Sequence, residues 1–156
     1  MIYTFPLPFR PTESYHVDPR RFGAPREGGA RAHAGCDLYV PVGSPVLAVS
    51  DGLVITRYPF YEGTWAVVVD HGSFVARYGE IAFRDYPAAH TGAKIKQGQV
   101  IGEVGRLTGY EFFMLHYEMY LAGTTEPLTD KNNPPFQRHR NLMDPTAFLD
   151  TCKVGV

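Results

Sequence analysis

Cysteine is scarce in this chain, which contains only Cys36 and Cys152 among its 156 residues. A closed structural zinc site normally takes several thiolates, so the sequence excludes a site of that kind. The spacing of the two cysteines does not indicate a disulfide, and two free thiols fit it at least as well.

The sequence also lacks an excess of charge and any long apolar run. Its 15 basic and 16 acidic residues give a formal net charge of −1, which excludes a whole-molecule field that would attract nucleic acid. No apolar stretch approaches the roughly 20 residues of a membrane span. The basic cluster Arg20, Arg21, Arg26 and Arg31 is interpreted as a solvated loop, because a phosphate site needs convergent backbone amides or further arginines.

A leader segment is not evident at the amino terminus. The first ten residues have no basic stretch before their apolar part and include two prolines, a composition unlike that of a secretory signal. We therefore expect the protein to be cytoplasmic as synthesised, or to reach an extracytoplasmic target by a non-classical route.

No segment sustains a helical period over three turns. The chain instead has short runs of β-branched and aromatic residues divided by Gly, Pro, Ser and Asp turns. The predicted strands are Cys36–Val40, Pro45–Val49, Leu53–Tyr58, Trp65–Asp70, Phe74–Tyr78, a glycine-interrupted run over Lys94–Val104, and Phe112–Tyr120. These strands predict an all-β protein, with an antiparallel sheet or sandwich.

The length is that of a single domain with a genuine core. Residues 1–32 are rich in Pro, Gly and Arg and predict an N-terminal arm and loop, whereas residues 33–122 hold the predicted β core. Residues 123–156 predict a C-terminal loop and a short helix that packs on the core. Asp144 is the expected N-cap of that helix, and Pro145 is expected in its first turn.

Two short segments supply a candidate metal site, His33-Ala-Gly-Cys-Asp37 and Met114-Leu-His116-Tyr-Glu118. Two imidazoles and a carboxylate are ligands that Zn²⁺ accepts in catalytic sites, where one coordination position stays open for water. The two-residue period of a strand places Met114, His116 and Glu118 on one face.

Each of these residues has a simpler explanation when taken alone. His33 also fits an ordinary loop histidine and His116 a strand histidine with a hydrogen-bond partner, because His-x-x-x-Asp is a permissive pattern. Glu118 fits either a carboxylate that supports a metal ligand or a partner for a basic side chain. By the same strand alternation Asp37 points away from Cys36, which is interpreted as a small core residue.

The order of several motifs makes a more specific pattern. The motifs are His33–Asp37, Ser44–Gly52, Val69–Gly72, Gly98–Gly102 and Leu115–Glu118, preceded by Arg21-Phe-Gly23. Over roughly residues 20 to 122 this order resembles the lysostaphin/LytM-type zinc metallopeptidases, which cut peptide cross-links in bacterial cell walls.

The resemblance implies that His33, Asp37 and His116 bind Zn²⁺, in a groove floored by an antiparallel sheet and walled by loops. It implies bacterial or phage origin, and a stem or cross-link peptide of peptidoglycan as the substrate. Met114, Glu118 and Tyr78 are expected to line the groove or to support the ligands. We expect a monomer that binds no nucleic acid.

Two positions depart from the family pattern. The family usually has His-x-His in the last strand, and the first of these histidines is Met114 here. It usually has a histidine after a Tyr-Ala or Tyr-Gly pair, and here Tyr78-Gly79 is followed by Glu80. In the family, the two missing histidines are those assigned to activating or orienting the zinc-bound water and to stabilising the transition state. Methionine cannot transfer a proton, whereas glutamate serves as the base in other zinc peptidases.

Two hypotheses follow. The first is a zinc metalloendopeptidase in which Glu80 replaces the usual histidine base. The alternative is a catalytically degenerate relative that keeps zinc and binds cell-wall peptides or a protein partner. An ionisable residue at position 80 favours the enzyme, although Glu80 also fits a surface hairpin carboxylate.

The remaining histidines offer a further possibility. His16, His90 and His139 lie in predicted loops that could restore an imidazole to the groove, although each also fits an ordinary surface residue. His71 fits a turn position of the family and is expected to be structural.

Overall fold

Eleven short β-strands and one α-helix form the regular structure in a computed structural model that describes all 156 residues. The strands are β1 (Pro25–Arg26), β2 (Arg31–Ala32), β3 (Cys36–Tyr39), β4 (Pro45–Leu47), β5 (Gly52–Pro59), β6 (Trp65–Asp70), β7 (Phe74–Ile81), β8 (Lys94–Ile95), β9 (Val100–Glu103), β10 (Met114–Leu121) and β11 (Leu142–Met143). The helix α1 covers Thr146–Thr151, and 3₁₀ turns cover Glu27–Gly29 and Pro87–Ala89. None of these helices has the length and apolar character needed to cross a membrane.

Seven strands form one sheet in the order β11-β10-β7-β6-β5-β8, and β3 joins it by pairing with β10. Strands β1 and β2 form one separate ribbon, and β4 and β9 form another. Every strand pair is antiparallel. The predicted all-β antiparallel architecture is therefore confirmed.

The strand bounds follow the predicted runs, with differences at the ends. The strand Trp65–Asp70 has the same bounds in the prediction and in the structure. Strand β10, in contrast, begins at Met114 and not at Phe112. The run over Lys94–Val104 divides into β8 and β9, because Gly98 adopts a φ of 81° in the turn between them. Left-handed backbone of this kind ends a strand and favours glycine.

The main core lies on one face of the large sheet. Strand alternation turns Leu115, Tyr117 and Met119 of β10 into it, together with Cys36 and Leu38 of β3. The β4–β9 ribbon and α1 cover this face with Val46, Ile101 and Leu149 as buried contacts. Cys36 is thus the small core residue that the sequence predicts, and both cysteines are free thiols. The opposite face of β10 carries His116 and Glu118, so it remains available for a site.

The N-terminal arm belongs to the same core. Phe5 and Leu7 have no exposed surface. The backbone N–H of Phe5 donates to the carbonyl of Lys153 at 2.8 Å, and the N–H of Leu47 donates to the carbonyl of Pro6 at 2.9 Å. Residues 5–7 are therefore packed against both β4 and the C-terminal end of the chain.

The C-terminal helix begins one residue later than predicted, with Pro145 as its N-cap. Asp144, the expected N-cap, lies before the helix, and its Oδ1 accepts a hydrogen bond from the backbone N–H of Thr146 at 2.9 Å. Its side chain thus still supplies an acceptor near the start of the helix. The difference is a shift of the first turn, and the predicted short closing helix is present.

Phe5→Ala is expected to lower the free energy of unfolding by about 3–5 kcal/mol, because the change leaves a cavity in a close-packed core. Phe9→Ala is the matched control, since Phe9 is 43% exposed and should cost less than about 1 kcal/mol. Urea unfolding of both variants measures the difference. Equal losses for the two variants would show that the arm does not contribute to the core.

Candidate metal centre and groove

Three potential metal ligands meet on the face of the sheet that is opposite to the main core. Asp37 of β3 is paired directly with His116 of β10, so both side chains lie on one face. His33 follows β2 and completes the group. Its Nε2 lies 3.1 Å from Oδ1 of Asp37 and 3.3 Å from Nδ1 of His116, and the latter two atoms are 2.8 Å apart. All three side chains are buried.

A hydrogen bond on the far side of each imidazole determines which ring nitrogen faces the other candidate ligands. His33 donates from Nδ1 to the carbonyl of Arg21 at 2.8 Å. His116 donates from Nε2 to Oε2 of Glu118 at 2.7 Å. The remaining nitrogens, Nε2 of His33 and Nδ1 of His116, both face Asp37. This is the arrangement by which an outer partner fixes the tautomer of a metal-binding histidine.

Glu118 is the centre of a buried ionic network. Its Oε1 lies 2.9 Å from Nη2 of Arg77, and its Oε2 accepts from Nε of Arg138 at 3.1 Å. The hydroxyl of Tyr120 also donates to Oε1. Burial alone would raise the pKa of Glu118, but the two guanidinium groups outweigh it and hold the pKa well below its usual range. The carboxylate is therefore charged when it accepts the proton of His116.

The pKa values of the candidate ligands are strongly shifted in the metal-free protein. Burial opposes the charge on His116, but hydrogen bonds with Asp37 and Glu118 outweigh it and raise the pKa to about 9. Burial also opposes ionisation of Asp37, but hydrogen bonds from His116 and His33 lower its pKa to about 2. Burial lowers the pKa of His33. A metal ion would thus compete with a proton for Nδ1 of His116.

Glu80 reaches this face through a β-bulge. Tyr78 is paired with Val67, and Ile81 is paired with Trp65. The three-residue advance along β7 therefore matches a two-residue advance along β6, and β7 contains one extra residue. Glu80 has a φ of 65°, which is unusual for a residue other than glycine. Regular alternation from Tyr78 would turn Glu80 into the core. The bulge re-aims it into the groove, as bulges beside active sites often do.

The Glu80 carboxyl is buried without a protein partner. Only 8% of the residue is exposed, and its Oε2 accepts no hydrogen bond from the protein. Burial, with a further contribution from the negative charge of Asp37, raises its pKa to about 8. The carboxyl therefore holds its proton at neutral pH in the metal-free protein.

These residues line a groove with a volume of about 920 Å³. The candidate ligands, Glu80 and Met114 lie along it, and Met114 is 4% exposed. Most other lining residues come from four segments, residues 19–31, 58–61, 107–112 and 129–138, and the rest are Ala34, Tyr39 and Arg77. The groove thus has the sheet as its floor and loops as its sides.

Tyr78 was predicted to line the groove or to support the ligands, and that prediction is wrong. It has no exposed surface and belongs to the main core. Its hydroxyl accepts from the backbone N–H of Val49 at 3.1 Å and lies 2.9 Å from Nε2 of His71. The reason is that Tyr78 precedes the bulge and keeps the core-facing direction of Ala76. His71 has the expected structural role beside it.

None of the three loop histidines restores an imidazole to the groove. His16 lies 2.9 Å from Oδ1 of Asp150, and His90 pairs with Asp85. Nδ1 of His139 accepts from the backbone N–H of Asn141 at 3.0 Å. All three are absent from the groove lining.

Several groove residues were missed in the sequence. The prediction that Arg26 belongs to a solvated loop is wrong, because Arg26 lines the groove and its Nη2 lies 3.5 Å from Oδ2 of Asp37. Arg31 of the same cluster also lines it. Arg77 has a sequence signal, because it alternates with the apolar Ala76 and Tyr78 in β7, and the structure pairs it with Glu118. Arg138 had none, since it comes from a proline-containing loop far along the chain.

Comparisons with known proteins point to one family. The sequence model of peptidase family M23 matches residues 31–128. Peptidoglycan DD-endopeptidase ShyC of Vibrio cholerae is 35% identical over 122 residues, which are 76% of this chain and 26% of the relative. ShyA of the same organism is 33% identical over 114 residues, 70% of this chain and 25% of the relative. The chain thus spans about a quarter of the length of these curated relatives.

Solved structures share the fold at lower identity. The catalytic domain of lysostaphin from Staphylococcus simulans has a TM-score of 0.58 at 21% identity, over 83% of this chain and 88% of that domain. A zinc containing peptidase from Vibrio cholerae has a TM-score of 0.54 at 24% identity, over 78% of this chain and 37% of that one. These similarities confirm the lysostaphin-like fold that the sequence motifs implied.

In the metal-free protein, Glu80→Gln is expected to become increasingly more stable than wild type as the pH rises from 5 to 8. Folded Glu80 keeps its proton up to about pH 8, whereas the unfolded carboxyl has lost it. Wild type therefore loses up to about 1.4 kcal/mol of unfolding free energy per pH unit through this group, and glutamine loses none.

Urea unfolding in a chelating buffer across this pH range measures the difference. Glu62→Gln controls for backbone conformation, because Glu62 is exposed and has a φ of 46°. A constant difference between wild type and Glu80→Gln from pH 5 to pH 8 would contradict a protonated Glu80.

Proposed function

Because this chain belongs to peptidase family M23, we propose that it is a zinc-dependent metalloendopeptidase that hydrolyses peptide cross-links of bacterial peptidoglycan. The observation that carries the proposal is the convergence of Nε2 of His33, Oδ1 of Asp37 and Nδ1 of His116 within 3.3 Å of one another. The substrate class is supported by the curated relatives, which are named as peptidoglycan DD-endopeptidases.

The three residues fit Zn²⁺ in their chemistry as well as their position. Two imidazole nitrogens and one carboxylate oxygen are a donor set of catalytic zinc sites. The far nitrogen of each imidazole already donates to an oxygen, so the nitrogen that a metal would bind is oriented towards the site beforehand. Zn²⁺ bound here would act as a Lewis acid on a water molecule and on the peptide carbonyl.

Glu80 is proposed as the general base and acid. Its Oε2 has no protein partner, so it is free to accept a proton from the attacking water and to deliver it to the leaving amine. A carboxyl with a pKa near the working pH is suited to both transfers. The positive charge of a bound metal would favour the ionised form that the first transfer needs.

Met114 leaves Glu80 without a second proton-transferring group on β10. The thioether is at best a weak acceptor, and its burial makes this side of the groove apolar. This observation favours the alternative function, in which the protein binds zinc and then wall peptides or a protein partner but does not hydrolyse a peptide bond. The position of Glu80 favours the peptidase, and the two can be separated by experiment.

Wild-type protein loaded with zinc is expected to hold one metal ion per chain and to lower the turbidity of purified peptidoglycan. His116→Ala should lose both properties, because it removes a ligand. Glu80→Gln should keep the metal and hydrolyse at least about 100-fold more slowly, because it removes the proton transfer. Metal analysis and turbidity measurements on the same preparations check both expectations.

The variant Glu62→Gln serves as the activity control, since Glu62 is exposed and does not line the groove. Stoichiometric zinc without release of peptides from several types of bacterial wall would establish the binding alternative instead. Full activity of Glu80→Gln would remove Glu80 from the mechanism but leave the peptidase assignment intact.

A further inference from the structure

We propose that the groove selects a peptide with a free carboxylate close to the cleaved bond, and that Arg31, Lys131 and Arg138 bind it. These three residues are called the basic wall below. The proposal rests on the proposed function, because it names the substrate class of the same groove.

The groove is richer in positive charge than the chain as a whole. The lining takes five of the 15 basic residues and three of the 16 acidic ones, although the formal net charge of the chain is −1. The basic lining residues are Arg26, Arg31, Arg77, Lys131 and Arg138; the acidic ones are Glu27, Asp37 and Glu80. A local surplus of this kind attracts an anionic ligand.

Part of this charge is already compensated within the protein. Arg77 and Arg138 share the carboxylate of Glu118. Arg77 also donates to the hydroxyl of Tyr58, which in turn donates to Glu126, so a second carboxylate lies close to Arg77. The two guanidinium groups and the two carboxylates of this cluster therefore balance in charge, so the surplus of the groove comes from its other basic residues.

The basic wall is weakly engaged with the protein. Arg138 donates from Nε to Glu118 and from Nη1 to the carbonyl of Gln137, and its Nη2 has no protein partner. Lys131 forms no ion pair. The nearest carboxylate oxygen to Arg31 is that of Glu27, at 3.9 Å. All three residues thus keep donors that a carboxylate of the substrate can use.

The basic wall also lies close to the candidate metal ligands. Arg138 contacts Glu118 at 3.1 Å, and Glu118 contacts His116 at 2.7 Å. On the other side, the backbone N–H of Ala32, next to Arg31, donates to the carbonyl of Pro135 at 2.9 Å. The segments that carry the basic wall therefore meet beside the ligands. A carboxylate bound there would be near the reacting carbonyl.

Two of the three basic-wall residues lie outside the family match. Lys131 and Arg138 come after residue 128, where that match ends. The aromatic lining residues include Phe60, Tyr61 and Tyr110. The family match therefore does not account for Lys131 and Arg138, and the proposal for them rests on their positions in the groove.

The test uses a synthetic cross-linked dimer of stem peptides in four forms. One has all carboxylates free, one has the terminal α-carboxylates amidated, one has the side-chain carboxylates amidated, and one has both amidated. This set distinguishes a chain-end carboxylate from a side-chain one. Binding to zinc-loaded protein is measured by calorimetry and hydrolysis by chromatography, at low and high salt.

Wild type should bind and hydrolyse the free form at least about tenfold better than the fully amidated form, because charge-assisted hydrogen bonds to a carboxylate are strong. One of the singly amidated forms should show the same loss and so identify the carboxylate. High salt should reduce the preference. Lys131→Gln should reduce it to less than about threefold, whereas Lys96→Gln, an exposed lysine outside the groove, should retain it.

Equal affinity and equal hydrolysis of the four forms would overturn the carboxylate preference and leave the peptidase assignment standing. Absence of hydrolysis with a retained difference in affinity would contradict the peptidase and support the basic wall. Unchanged preference in Lys131→Gln and in Arg31→Gln would remove both residues from the recognition.

Discussion

Glu118 has no exposed surface, and its carboxylate accepts from Arg77, Arg138, Tyr120 and His116. Isolated carboxylates are very costly to bury, so this one depends on its donors, and breaking such a network strongly destabilises a protein. Its hydrogen bond from Nε2 of His116 turns the other nitrogen towards the candidate site. The carboxylate therefore links a stability constraint within the sheet to the orientation of a metal ligand. Arg138 extends that link to the C-terminal loop.

The parts of the site that the sequence could predict are those set by local strand geometry. The two-residue period placed His116 and Glu118 on one face, because alternation needs no tertiary information. The same two-residue period fails at Glu80. The extra residue of the bulge reverses the direction of the side chains that follow it in β7. Tyr78, which the family resemblance places at the groove, precedes the bulge and lies in the core. Arg138 could not be predicted, since packing of a distant loop determines its position.

A β-bulge holds Glu80, one of the two residues at which this chain departs from the family pattern. A glutamate in left-handed backbone is strained, and strain of this kind persists only where the surrounding structure enforces it. Here pairing of β7 with both β6 and β10 enforces it. The strained backbone carries a buried carboxyl without a protein partner, whereas Met114 on β10 adds only apolar surface. The proposed proton transfer therefore rests on Glu80 and not on Met114.

The central claim is that the fold directs the three ligand atoms before metal binds. The most direct measurement is a crystal structure of the zinc-loaded protein. Zinc is expected about 2.0–2.2 Å from Nε2 of His33, Nδ1 of His116 and an oxygen of Asp37, while Nε2 of His116 still donates to Glu118. Zinc bound elsewhere, or bound through Nε2 of His116 with loss of the Glu118 contact, would contradict the account.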